Sequence, residues 1–257
     1  MIHKGSTDSL KLNTLRHLFN VRVGLRDRVH DKKEITILEF GSGIHGTDLF
    51  GIARYFFDRF TGKRIHIVGV EKEGKPTDET LEEEGIKVRR LLGFGLEDQD
   101  SAKRLIDVTG LEAFDLIIAF NPFAPTSITA EGLAIIGMLE TMEFMKRKIR
   151  ETRATIPKAL DDLPEEIAYR ELVNMLGCAY IQAPFGIAFP TLLTESGLLF
   201  VGSTGTIGID YMNEMIRRLG YALLLEEKQE ALSERDIIKE NEDGYVVIAE
   251  KGSQFGQ

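Results

Sequence analysis

The chain has 257 residues and a single cysteine, Cys178, so no intrachain disulfide framework is possible, and a chain this long buries about three-quarters of its unfolded surface without one. Its 32 Lys and Arg against 41 Asp and Glu leave a formal charge of −9, which argues against a broad nucleic-acid face, because phosphate contacts need clustered cations. At roughly 150 residues per domain, the length allows one large α/β domain or one domain carrying an insertion. After Met1 the chain runs through His3, Lys4, Ser6 and Asp8 with no apolar stretch, and the apolar run 177–193 is broken by Gln182, Pro184 and Pro190. The expectation is a soluble, cytoplasmic protein with no membrane span.

Residues 1–33 form a separate, basic segment: Lys4, Lys11, Arg16, Arg22, Arg26, Arg28, Lys32 and Lys33 face only Asp8, Asp27 and Asp31. Leu10, Leu15, Leu18, Phe19, Val23 and Leu25 recur at helical spacing, so the segment reads as one or two amphipathic helices that cap the sheet. A basic arm for nucleic acid is the alternative.

From Glu34 a strand–helix alternation begins. Ile35–Phe40 is a β-branched strand that opens into Gly41-Ser42-Gly43. Residues 47–60 carry Leu49, Ile52, Ala53, Phe56, Phe57 and Phe60 on one stripe, a helix stopped by Thr61-Gly62. Arg64–Glu71 is the second strand, Glu79–Glu84 reads as a short helix, and Ile86–Leu91 is the third strand. Asp100–Val108 reads as a helix, and Phe114–Phe120 as a fourth strand closed by Asn121-Pro122. Strands separated by helices imply crossover units and a parallel sheet. The next strand begins only at Leu198, so the link carries an insertion, at about 126–189, with an apolar stripe at Ile135, Met138, Leu139, Met142, Met145 and Ile149. A helix over Tyr211–Leu219 and strands at Tyr221–Leu225 and Tyr245–Ala249 follow, the last two either pairing antiparallel or enclosing one short helix.

The chemistry lies in the turns. Gly41-Ser42-Gly43-Ile44-His45-Gly46 fits G-x-G-x-x-G between a strand and a helix. Glycine there lets a ligand approach the backbone, and a helix N-terminus offers free N–H groups. Glu71 ends the next strand, where a carboxylate can accept both ribose hydroxyls of an adenosine. Loop and acid together point to a nucleoside cofactor, carried either by a nicotinamide or flavin dinucleotide enzyme or by a methyltransferase. Five histidines at 3, 17, 30, 45 and 66 show no ligand spacing, and no metal site is expected. Cys178 reads as a core thiol, and Ser42 and Ser203 lack a His–Asp arrangement for acyl transfer.

The order of motifs resembles the class I S-adenosylmethionine-dependent methyltransferases, which are Rossmann-like. Their acid-x-Gly-x-Gly motif matches Glu39-Phe40-Gly41-Ser42-Gly43, and the acid closing their second strand matches Glu71. Asp115–Phe123 approximates the strand followed by a polar residue, proline and an aromatic, and residues 192–201 resemble the family's helix end, turn and fifth strand. A terminal antiparallel strand is a further family feature. The resemblance implies S-adenosylmethionine as cofactor, bound by Glu39, Phe40, Gly41, Ser42, Gly43, Gly46, Glu71, Lys72, Leu96, Glu97 and Asn121. It implies Asn121 beside the transferring methyl, with Pro122 and Phe123 at the substrate. The insertion starts at the carboxyl edge of the sheet, so Pro184–Pro190, stiffened by its prolines, reads as an apolar pocket wall with Phe185 and Phe189 facing the substrate; packing of the insertion onto the sheet, or a dimer contact, is the alternative. Position 45 is His where many relatives carry glycine, and Gly93–Asp98 displaces the usual adenine-contacting acid, leaving Glu97, Asp98 or a backbone N–H for that role. Asn121-Pro122-Phe123 lacks the second proline that marks methylation of amide or base nitrogens.

The expected fold is α/β: a doubly wound, mostly parallel seven-stranded sheet with helices on both faces, an antiparallel last strand, and a helical insertion between strands four and five. The segment 1–33 precedes a methyltransferase-like domain over 34–257. The expected function is methyl transfer to a small-molecule acceptor rather than to nucleic acid or protein, and a homodimer is compatible with it. An NAD(P)-dependent oxidoreductase and a cofactor-binding module without turnover are the alternatives.

Overall fold

The computed structural model describes residues 25–43, 46, 48–96, 99–120, 184–203, 216–217, 219–228 and 245–252. The chain divides into two units, residues 1–122 with 182–257, and residues 123–181. The second unit, and with it the stripe expected at 135–149, lies outside the described residues, as do residues 1–24 and most of the helix expected at 211–219.

The first unit is built on an eight-stranded sheet in the order β3-β4-β2-β1-β5-β6-β8-β7. The strands are β1 (Glu34–Phe40), β2 (Arg64–Glu71), β3 (Thr77–Glu83), β4 (Ile86–Leu92), β5 (Phe114–Phe120), β6 (Leu193–Ser203), β7 (Tyr221–Lys228) and β8 (Tyr245–Lys251). Five central strands, β4-β2-β1-β5-β6, run parallel. The last strand, β8, is antiparallel to both β6 and β7. The two C-terminal strands therefore form an antiparallel pair, and the expected antiparallel last strand is present.

The described helices are α1 (Leu25–Arg28), α2 (Leu49–Arg59), α3 (Gln99–Thr109) and α4 (Phe189–Leu192), with a π-turn at Pro184–Ala188 before α4. Leu49, Ile52, Ala53 and Phe56 bury the inner stripe of α2 on the sheet face formed by Ile35, Ile37, Ile65, Ile67, Ile86, Val88, Leu116, Ile118, Leu198 and Phe200. Gly62, at φ 82°, lets the chain turn back after this helix. On the opposite face α3 packs against the π-turn and α4. Right-handed crossovers require this: the chain moves outward from β1 to β2 and then crosses back from β4 to β5, which places the second helix on the other face.

Two expectations change. Residues 77–83 form a strand, not the expected helix, which brings the sheet to eight strands. Glu84 at φ 49° and Gly85 at φ 83° make a two-residue turn of the kind that closes tight hairpins, and β3 pairs antiparallel with β4 from Thr77↔Leu92 to Glu83↔Ile86. The glutamates favour helix weakly, but cross-strand pairs override that preference: Arg89 Nη2 meets Asp78 Oδ2 at 2.5 Å and Arg90 Nη2 meets Glu79 Oε2 at 2.8 Å. The turn expected before the fifth strand is instead a bulge inside β6. Phe114 pairs Leu193 while Leu116 pairs Leu198, so residues 194–197 stand opposite Asp115 alone.

The polar rim is equally specific. Asp115, buried at the start of β5, accepts from Lys32 Nζ, from Thr36 N at 3.0 Å and from Thr36 Oγ1 at 3.2 Å. Lys63 Nζ donates to the carbonyls of Val29 and His30 at 2.8 Å and to that of Lys32. These bonds fasten the segment after α1 to the sheet.

Gly69 sits mid-strand in β2, opposite Glu39 of β1 and Arg90 of β4. A Cβ there would come 2.6 Å from Leu49 Cδ1 and 3.0 Å from Ser42 Cβ. Leu49 is fully buried, so its methyls have nowhere to go. Gly69→Ala is expected to cost about 1–3 kcal/mol by overpacking and to lower the melting temperature by several degrees. Calorimetry giving an unchanged midpoint would mean that Leu49 and Ser42 repack freely.

Candidate cofactor site

In an open parallel sheet the strand order reverses where two strands leave in opposite directions, and ligands bind beyond the carboxyl ends at that point. Here the reversal is at β1, which has β2 on one side and β5 on the other. The turn after β1 is the glycine loop, and the end of β2 is Glu71, so the topology brings these two sequence-predicted elements together.

Their geometry is closely determined. Gly41, Gly43 and Gly46 have φ of 73°, 74° and 53°, a region costly for residues with a Cβ. Gly41 N and Ser42 N both donate to Val70 O, at 3.0 and 3.2 Å, and Gly46 N donates to Gly43 O at 3.1 Å. Gly43 N donates to Glu71 Oε2 at 2.9 Å, and Glu73 N donates to Glu71 Oε1 at 3.1 Å. The carboxylate is thus clamped between the glycine loop and its own following turn, 8% exposed. Each of its oxygens spends one acceptor site on a backbone N–H and keeps another. The turn after β4 closes the same edge: Phe94 N donates to Glu71 O at 2.9 Å, and Gly93 N to Glu73 O at 3.4 Å.

The loop leaves room for a ligand. A Cβ built on Gly41 or Gly43 would meet nothing within 4 Å. Ser42 Oγ is buried with no hydrogen-bond partner among the described residues, a polar atom that a ligand or water would satisfy. Three acids lie in or beside the loop: Glu71, the fully buried Glu39 at the end of β1, and Asp48, the cap residue of α2.

The other expected site residues are placed less uniformly. Phe40 is half-buried, its ring edge-on to Phe189 at 5.2 Å. Lys72 is exposed beside Glu71, and Leu96 is buried. Glu97, Asn121, Pro122 and Phe123 lie outside the described residues, as does His45. Phe185 and Phe189, expected as a substrate wall, are fully buried, 4.7 Å apart between ring centroids. Tyr221 Oη donates to Phe185 O at 2.7 Å within the same core. Phe189 thus contacts both Phe185 and Phe40. Two residues the sequence reading missed, Gly69 and Arg90, pack directly against the loop. A lone glycine inside an apolar strand run was the available signal for the first.

A separate cleft of about 310 Å³ opens at the amino ends of the strands, lined among others by Glu34, Arg64, His66, Glu82, Lys87 and Thr109. It is at the wrong end of the sheet for the cofactor. Among the described residues no group of three His, Cys, Asp or Glu could hold a metal ion, and no helix is long and apolar enough to cross a membrane.

No protein-family model matches this sequence, and no curated protein matches it. Solved structures do. A loganic acid methyltransferase with SAH aligns over 99% of this chain and 100% of its own, with a TM-score of 0.52 and 8% identity. MnmC2 from Aquifex aeolicus aligns over 95% of this chain and 62% of its own, with a TM-score of 0.41 and 14% identity. A precorrin-6y C5,15-methyltransferase from Geobacter metallireducens aligns over 94% of this chain and 88% of its own, with a TM-score of 0.36 and 8% identity. At the level of fold, then, this chain is built like the first of these, a methyltransferase.

Proposed function

We propose that the protein is an S-adenosylmethionine-dependent methyltransferase acting on a small-molecule acceptor. The observation that carries this reading is the Glu71 carboxylate accepting the Gly43 N–H. A dinucleotide-binding loop turns its N–H groups toward a pyrophosphate. In this loop the N–H groups of Gly41, Ser42, Gly43 and Gly46 are taken by Val70 O, Glu71 and Gly43 O, and the surrounding acids would repel a polyanion. A nucleoside bearing a sulfonium and no phosphate suits such a site, which weakens the NAD(P) alternative. The antiparallel β8 between β6 and β7 also agrees with the family resemblance.

The bound cofactor would supply an electrophilic methyl group. The chain's own part is to hold and orient. Glu71 accepts the two ribose hydroxyls through its remaining acceptor sites, and Gly41 and Gly43 let the cofactor lie against backbone. Asn121, in this reading, follows β5 to the same edge and orients the acceptor's N–H or O–H. Such a site accelerates transfer by alignment and by excluding water.

Titration calorimetry is expected to give saturable binding of S-adenosylhomocysteine and none of NAD or NADP. The opposite pattern would replace this reading with the oxidoreductase. Binding without methyl transfer to any extract component would leave a cofactor-binding module.

Gly43→Ala supplies a finer test. The left-handed φ costs a side chain about 1–2 kcal/mol, and the added methyl stands in the open space above the loop. Affinity for S-adenosylhomocysteine is expected to fall about tenfold or more, out of proportion to the stability loss. Equal affinity would place the ligand elsewhere.

A further inference from the structure

A row of residues crosses four neighbouring strands in register beneath the glycine loop: Glu79 of β3, Arg90 of β4, Gly69 of β2 and Glu39 of β1. Alternation along β4 puts Arg90 with Ile86 and Val88, on the face that α2 covers, and Arg90 is 6% exposed. Its stem lies against the loop, since a Cβ on Gly46 would stand 2.7 Å from Arg90 Cδ and 3.5 Å from Nη1. Its far end donates from Nη2 to Glu79 Oε2 at 2.8 Å.

Glu79 belongs to the strand that occupies the place of the expected helix. That hairpin is held at its tip as well. Arg54 of α2 lies 5.6 Å from the ring centroids of both Phe50 and Phe57 and reaches Glu84 Oε2 at 3.3 Å. Gly85 abuts Phe57, whose Cε2 would be 3.0 Å from an added Cβ. The β3–β4 hairpin therefore touches α2 at its tip and, through Arg90, the glycine loop at Gly46.

A guanidinium this deep keeps its place only while it is paired, because burying an unpaired charge is strongly unfavourable. The pair with Glu79 fixes where the Arg90 stem runs, and the stem fixes how low Gly46 can settle. We infer that Arg90 is a positioning residue of the cofactor loop: its contact with Gly46 and its ion pair with Glu79 set the height of the loop around Gly46, which makes the β3 edge strand part of the cofactor site. This rests on the reading of that site as one for S-adenosylmethionine.

The test uses full-length protein, the Gly46 amide resonance in the free protein, and calorimetry with S-adenosylhomocysteine. Arg90→Met keeps the stem and removes the pair, Glu79→Gln removes the partner from a half-buried strand residue, and Arg90→Lys retains the charge. Glu79→Gln and Arg90→Met are each expected to move the Gly46 resonance and to weaken binding about tenfold, the scale of a lost charged hydrogen bond. Arg90→Lys should stay within about threefold of wild type. In the double variant Glu79→Gln/Arg90→Met the two losses should add to less than their sum, because either change already breaks the ion pair. A lowered melting temperature with the Gly46 resonance and the affinity unchanged in Glu79→Gln overturns the proposal. Should Arg90→Met fail to fold, Glu79→Gln and Arg90→Lys decide it by the same readouts. If wild type itself does not bind S-adenosylhomocysteine, the cofactor reading fails, and the Gly46 resonance still decides whether Arg90 couples β3 to the loop.

Discussion

Replacing Glu71 by Ala is expected to weaken S-adenosylhomocysteine binding between about tenfold and a hundredfold while the protein stays folded. Two effects add in the same direction. In the proposed complex the bonds to the ribose hydroxyls would be charge-assisted, each contributing roughly 1.5–3 kcal/mol, so even partial loss would exceed the 1.4 kcal/mol that corresponds to tenfold. The second effect belongs to the free protein. Glu71 Oε2 accepts the Gly43 N–H and Oε1 accepts the Glu73 N–H, so the variant releases the glycine loop as well as the ligand. Stability should fall little, since both donors lie at the sheet edge, where water can replace the carboxylate. Glu71→Gln should fall between, because its amide keeps one acceptor and turns a second donor toward an N–H. Calorimetry with unchanged affinity in Glu71→Ala would remove this residue from the site.

The parallel core was legible because most of its strands are β-branched or apolar runs that end near glycine or proline, and burial on both faces leaves no other use for such runs. The glycine loop and Glu71 were legible for the same reason: a turn needing positive φ advertises itself in glycines. What escaped was decided by partners distant in sequence. Residues 79–84 are rich in glutamate and read as helix until Arg89 and Arg90 are placed opposite Thr80 and Glu79, with Asp78 within reach of Arg89. The only local hint was Glu84-Gly85, a turn pair placed directly before a strand. The packing of Phe189 was hidden in the same way, because its flanking prolines do not say which ring of a distant element it will meet. Phe40 lies next to Phe189 in space although far away in sequence. Arg90 carried no local signal at all. Its contact with Gly46 follows from the register of β2 against β4, which arises only once the sheet has assembled.

Register also accounts for the second large effect, which concerns acid. His66 lies in β2 between Thr36 of β1 and Lys87 of β4, 3% exposed, with Nε2 lacking a hydrogen-bond partner among the described residues. Burial, reinforced by the charges of Lys87 and then Arg89, lowers its pKa from 6.5 to about 4. The imidazole therefore stays neutral in the folded protein over a range where the unfolded chain takes up a proton. Above about pH 6.5 neither state is protonated and this group leaves stability unchanged. As the pH falls from 6.5 towards 4 the unfolded state is favoured progressively, and below 4 the loss levels off. At 1.36 kcal/mol per pKa unit the full loss is about 3 kcal/mol. Asp78, whose pKa is lowered by its hydrogen bond to Arg89, adds a further loss at lower pH that wild type and variant share. His66→Gln is accordingly expected to be less stable than wild type at pH 7.5, because a buried amide replaces a packed ring, yet to close most of that gap by pH 4.5. Urea unfolding of both proteins across this range measures the difference directly. A gap between the two that does not change with pH would show that His66 takes up its proton equally in both states, and that Lys87 and the surrounding sheet exert no hold on its charge.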